Sequence, residues 1–157
     1  MTSEYLLLDT NLLILLVLGR YNRKLIGKHK RSREFVPEDY EILSHALRSY
    51  RRILVTPNLA TEASNLLSQT SSPSRERLRE GLAALIRDIC EVYVTSNDAS
   101  RHEYFSFLGL ADATIISCVV KDHTVLTMDF RLCGYLTKAG RRVINFNHLR
   151  NCWWSET

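Results

Sequence analysis

At 157 residues and 45% hydrophobic composition, the chain is the size of one ordinary domain, expected to span residues 1–157 around a single core. Its formal charge of +4, from 21 basic and 17 acidic residues, favours a polyanionic partner only mildly, so the distribution of charge tells more than its sum. The apolar run from Leu12 to Leu18 is too short to cross a bilayer and follows Glu4 and Asp9 rather than a basic leader, which argues against a membrane span or signal peptide and predicts a soluble protein.

In chain order, Tyr5-Leu6-Leu7-Leu8 reads as a buried strand that stops at Asp9, with Asp9-Thr10-Asn11 turning into a helix over Leu12–Leu18. A basic stretch follows, with Arg20, Arg23, Lys24, Lys28, Lys30, Arg31 and Arg33 before the first acid at Glu34. It reads either as a solvated loop or as a patch that tracks phosphates, each basic group replacing a condensed counterion. Pro37 with Glu38 and Asp39 starts a helix expected to reach about Arg51, the acids facing its positive dipole end. Ile53-Leu54-Val55 is a second strand, and Thr56-Pro57 opens the next helix. In that helix Glu62 is three residues after Leu59 and four before Leu66, so it is expected on the core-facing side. An ionised carboxylate there needs a cation or several donors, or else lies at the edge of the stripe and pairs with an arginine.

Ser72-Pro73 opens a further amphipathic helix through Leu78, Leu82, Leu85 and Ile89, and Glu91–Thr95 reads as a strand. A turn at Ser96-Asn97-Asp98 leads to a helix ending near Phe107. Asp112 falls in the first turn of the largely apolar helix that follows Gly109. Val125–Asp129 repeats the opening pattern, a short apolar strand ending at a carboxylate, with a helix from Phe130 to about Ala139 and a last strand at Val143–Phe146. Trp153 and Trp154 in the tail read as packing residues. Cys90, Cys118, Cys133 and Cys152 form no Cys-x-x-Cys pair and are expected to be buried free thiols in a reducing compartment, the cytoplasm. Alternation of strands and helices predicts a three-layer α/β/α sandwich with a mainly parallel sheet.

In such a sheet the strand ends and following helix starts share one edge, where ligands bind. Asp9, Asp112 and Asp129 should converge there, and Glu62 reaches it from the helix after another strand. Each alone could simply cap a helix. Two carboxylates about 4 Å apart repel by about 4 kcal/mol at an effective dielectric near 20, so four together take up protons or hold a cation. An all-oxygen set suits Mg²⁺ or Mn²⁺. Zinc-binding spacing is absent, with His29, His45, His102, His123 and His148 scattered, and no phosphate-cradling glycine motif or Gly-x-Ser-x-Gly is present.

Leu-Leu-Leu-Asp-Thr-Asn at Asp9, Glu62 after Thr56-Pro57, Gly-Leu-Ala-Asp-Ala-Thr-Ile at Asp112 and Val-Leu-Thr-Met-Asp-Phe at Asp129 together resemble the four acidic motifs of PIN-domain ribonucleases. The likeness is strongest to the single-domain VapC-type toxins of bacterial toxin-antitoxin modules. The resemblance implies a Mg²⁺- or Mn²⁺-dependent endoribonuclease with Asp9, Glu62, Asp112 and Asp129 as catalytic metal ligands, and Thr10, Asn11 and Thr127 as supporting polar groups. RNA is the expected partner, held in part by the basic stretch, with an antitoxin protein and a second copy of the chain as further candidates. A non-catalytic PIN-fold module that binds RNA or protein is the alternative. The interval between Asp9 and Glu62 is longer than in compact toxins of this type and contains the basic stretch, which offers a substrate surface or a dock for an acidic partner.

Overall fold

A computed structural model describes residues 4–156. Five strands, β1 (Tyr5–Leu8), β2 (Arg52–Val55), β3 (Cys90–Glu91), β4 (His123–Thr127) and β5 (Arg142–Asn145), form one sheet in the order β3-β2-β1-β4-β5. Every pair is parallel, and Leu7 stands opposite Leu54 on one side and Val125 on the other. Leu6, Leu7 and Leu8 are wholly buried, as a central strand covered on both faces must be. Helices complete the α/β/α sandwich expected from the alternation of elements.

The helix after β1, α1 (Thr10–Tyr21), is buried from Leu12 through Gly19. Its sequence is apolar on every side, which is tolerable only in a helix enclosed by others. It packs against α2 (Pro37–Leu47), α3 (Pro57–Leu67) and α4 (Ser74–Asp88). Gly19 permits the closest of these approaches, since a Cβ there would fall 1.9 Å from Tyr40 Cδ2.

Because β1 leads leftward to β2 while β4 leads rightward to β5, the β1–β4 boundary is the switch point of the sheet, where the connections diverge and leave a crevice beyond the strand ends. Asp9 and Asp129 sit immediately beyond these two strands. The backbone N–H of Asp9 donates to Leu126 O at 3.2 Å, joining the two strand ends.

Several elements differ from expectation. The helix begun at Pro37 ends at Leu47, and β3 comprises only Cys90–Glu91, an edge strand whose pairing continues through Val92 N–H to Val55 O at 2.9 Å. Residues 96–108 form two short helices, α5 (Ser96–Ser100) and α6 (Phe105–Leu108). The segment contains few large apolar residues before Tyr104, too little to carry one continuous amphipathic helix. After α7 (Leu110–Cys118) and α8 (Phe130–Lys138), β5 stops at Asn145. Phe146 then begins α9 (Phe146–Glu156), in which Trp153 packs edge-on to His45 at 5.9 Å while Trp154 is 53% exposed. All four cysteines are free, but only Cys118 is buried, and Cys152 is exposed on α9. Among the described residues no helix is long and apolar enough to cross a membrane.

Candidate active site

Asp9, Glu62, Asp112 and Asp129 line one pocket of about 150 Å³ with Thr10, Asn11 and Leu66. The convergence expected at the carboxyl edge of the sheet is therefore present. Asp9 is 4% exposed and is both helix cap and pocket wall. Its Oδ1 accepts from Leu12 N–H at 2.9 Å, while Oδ2 accepts from Thr127 Oγ1 at 2.5 Å and from Met128 N–H at 2.9 Å. Burial raises its pKa above the ordinary value, opposed by those three donors, with nearby Asp129 raising it further.

Thr127 links two of the acids, donating to Asp9 and accepting from the backbone N–H of Asp129 at 3.0 Å. Asp129 caps α8 through Oδ1, which accepts from Arg131 N–H at 2.7 Å and Leu132 N–H at 3.2 Å. Its Oδ2 lies 3.8 Å from the Arg131 guanidinium. Asp112 occupies the first turn of α7, which starts from Gly109 at φ 80°, ψ 179°, a conformation essentially confined to glycine. Unlike the other two aspartates it makes no side-chain hydrogen bond with any described residue. Burial, then Asp9, Asp129 and Glu62, push its pKa up to about 7 against a smaller lowering by Arg131. The acids thus act on one another electrostatically.

Glu62 corrects the sequence reading. It is exposed, whereas Leu59, Ala63 and Leu67 of α3 are buried, so it lies beside the core-facing stripe and turns toward the pocket. Its partner is neither a cation nor an arginine: Thr10 Oγ1 donates to Glu62 Oε2 at 2.5 Å. Further alignment comes from Thr114, whose Oγ1 donates to Ala111 O at 2.6 Å and lies 2.9 Å from Thr56 Oγ1, the cap of α3. This pair ties the helix bearing Asp112 to the helix bearing Glu62. In the sequence Thr114 falls within the Asp-Ala-Thr-Ile motif, whereas no sequence signal singles out Arg131.

The expected basic stretch is folded rather than loose. Two 3₁₀ turns, Arg23–Leu25 and Lys30–Ser32, are anchored by buried Ile26, His29, Ser32 and Phe35. His29 Nδ1 accepts from Arg31 N–H, so its Nε2 carries the proton and donates to Leu67 O at 3.2 Å. Arg31 Nε donates to Gln69 Oε1 at 2.8 Å. The second turn is thereby fastened to the end of α3 next to Leu66, which borders the acid pocket. Arg20 faces Asp88 at 3.8 Å, and Arg23 pairs with Glu41 and covers the Tyr40 ring at 4.8 Å. Lys24, Lys28, Lys30 and Arg33 have no ion-pair partner among the described residues.

Four carboxylates, one of them without a protein donor, form an all-oxygen donor set whose mutual repulsion a hard divalent cation relieves. The chemistry of the set fits Mg²⁺ or Mn²⁺. Among the described residues, no three or more His, Cys, Asp or Glu side chains stand in a group that could hold a metal ion as they are placed. Compared with known proteins, the chain matches no family model and no curated protein sequence.

Proposed function

We propose that the protein is a Mg²⁺- or Mn²⁺-dependent endoribonuclease of the PIN type. The observation that supports this reading is the convergence of Asp9, Glu62, Asp112 and Asp129 on one pocket at the switch point of a parallel sheet. Asp9, Glu62, Asp112 and Asp129 would hold the cation, directly or through water. When bound, such a cation supplies a more acidic water and offsets charge on the scissile phosphate.

The chain's own groups fix the arrangement. Thr127 and the backbone of Leu12 and Met128 hold both Asp9 oxygens, and Thr10 holds one oxygen of Glu62, leaving its other oxygen free to face the cation. Asp112 makes no side-chain hydrogen bond with any described residue, so both of its oxygens would be available to the cation or to a water bound to it. Arg131 supplies a positive group on the pocket rim beside Asp129, suited to a phosphate flanking the cleaved bond.

The decisive measurement is cleavage of mixed RNA and single-stranded DNA by the purified chain in Mg²⁺, Mn²⁺ or EDTA. RNA cleavage that needs the metal supports the proposal. Metal-independent RNA binding with no cleavage in Mn²⁺ assigns a non-catalytic binding module instead. For the basic segment, neutralising Lys24, Lys28 and Lys30 together is expected to flatten the salt dependence of RNA binding by up to about three units of slope. An unchanged slope would show that these lysines are only solvated.

A further inference from the structure

A second concavity, of about 460 Å³, opens beside the acid pocket and shares Glu62 with it. One wall is a polar stripe of α3, where Asn58, Thr61 and Asn65 recur at helical spacing, and the other is the Tyr93–Ser96 segment after β3, with Leu110 and Ala111 at the base. Its volume lies in the range of small-molecule sites, about 300–1,000 Å³. Tyr93 is 76% exposed, so most of its ring is open to a ligand. Tyr93, Asn58 and Asn65 make no side-chain hydrogen bond with any described residue. Two free amides and a free aromatic face thus border one groove.

The charge of the lining narrows the occupant. No Lys or Arg lines the groove, and its one charged residue is Glu62, so a phosphate would be repelled. A neutral planar group with hydrogen-bonding edges is favoured, because aromatic rings accept bases by stacking and Asn amides pair with base edges. We infer that this groove binds one unpaired base of the RNA strand, stacked on Tyr93 and hydrogen-bonded by Asn58 and Asn65, beside the phosphate at the acid pocket. The path of the strand rests on the nuclease reading, whereas the groove's affinity for a base does not. Asn58 and Asn65 then set which bases are preferred at that position, and Tyr93 supplies affinity that tolerates any base.

The test uses the full chain, a labelled short RNA and fluorescence anisotropy in EDTA at low salt, with RNA cleavage in Mn²⁺ followed in parallel. Tyr93→Ala is expected to weaken binding about 5- to 150-fold, the worth of one stacked base, and Tyr93→Phe to retain it. An RNA with one abasic position, scanned along the strand, should lose affinity for the wild-type chain at a single position and show no further loss there with Tyr93→Ala. Asn58→Ala and Asn65→Ala should alter base preference at that same position. Wild-type binding by Tyr93→Ala, or additive losses at every abasic position, overturns the inference. Cleavage without any Tyr93 dependence removes the groove and leaves the nuclease reading standing. Tyr93-dependent binding without cleavage supports the groove and removes the nuclease reading. Absence of RNA binding overturns both. Because Tyr93 is exposed, thermal melting of Tyr93→Ala should match that of the wild type.

Discussion

Replacing Asp112 by Asn is expected to lower RNA cleavage by more than about 100-fold, beyond what loss of an outer-shell partner typically costs, while raising the melting temperature of the metal-free protein at pH 8. Both effects come from one cause. The folded Asp112 has a pKa of about 7 against an ordinary 3.8, chiefly through burial and then through Asp9, Asp129 and Glu62. Below about pH 4 both folded and unfolded chains hold the proton and no cost is felt. Between pH 4 and 7 the folded chain binds a proton that the unfolded chain has released, so stability falls as pH rises, and above pH 7 the whole cost persists. The shift corresponds to about 4 kcal/mol, which water at the pocket mouth reduces to about 1–2 kcal/mol.

Asn carries no charge, so Asp112→Asn should melt about 2–8 °C higher than wild type at pH 8 in EDTA and at nearly the same temperature at pH 4. Mg²⁺ should raise the melting temperature of wild type at pH 8 more than that of the variant, because only wild type keeps all four carboxylates. Undiminished cleavage by a folded Asp112→Asn chain would end the site assignment. Equal melting temperatures at pH 8 would show that an ionised Asp112, buried among the other acids, costs the folded chain nothing.

Arg150→Ala is expected to be the most destabilising single change outside the apolar core. Arg150 Nε lies 2.9 Å from Asp39 Oδ1, and the Asp39 side chain has no exposed surface. The other carboxylate oxygen accepts only the Val36 N–H at 2.8 Å. Arg150 also donates to Glu34 O at 3.2 Å, so one side chain on α9 closes the entrance to α2. Truncating it leaves a buried carboxylate nearly alone, which costs about 3–5 kcal/mol, or about 6–20 °C in melting temperature for a chain of this size.

Burial already raises the Asp39 pKa, against lowering by the Val36 hydrogen bond and by Arg150. Removing Arg150 raises it further, so the penalty should be largest at pH 8 and shrink as acidification protonates Asp39. Pairing Arg150→Ala with Asp39→Asn should recover part of the loss, and thermal melts of the four combinations measure the coupling. Independent, additive losses would mean that the pair contributes only packing.

How much was legible in advance follows from the range of the interactions. Leu6 to Leu8 ending at Asp9, and Val125 to Thr127 leading to Asp129, announced themselves because a buried parallel strand needs a short apolar run and a polar stop. Asp112 was placed correctly because Gly109 and the apolar residues after it mark a helix start. Spacing alone leaves Glu62 either on the core-facing stripe or at its edge, and it lies at the edge, exposed. Spacing from Leu59 and Leu66 fixes a direction only to within a stripe's width, and Leu66 itself turned out to border the pocket. The last helix was missed because Phe146, which continues an apparent strand pattern, starts α9 instead, and its core-facing contacts lie on distant α2.

The residues by themselves determined the alternation of strands and helices, hence the parallel sheet and the common edge to which three aspartates must go. Tertiary structure decided what those acids meet. The Thr10–Glu62 and Thr127–Asp9 bonds join residues 52 and 118 positions apart, and the Tyr93 groove exists only because the segment after β3 comes to rest beside α3. Local preference dictates backbone geometry over a few residues, whereas a pocket is defined by side chains that only chain closure brings together. That is why the acids could be listed from the sequence while their bonding, their coupled protonation and the neighbouring base-sized groove could not.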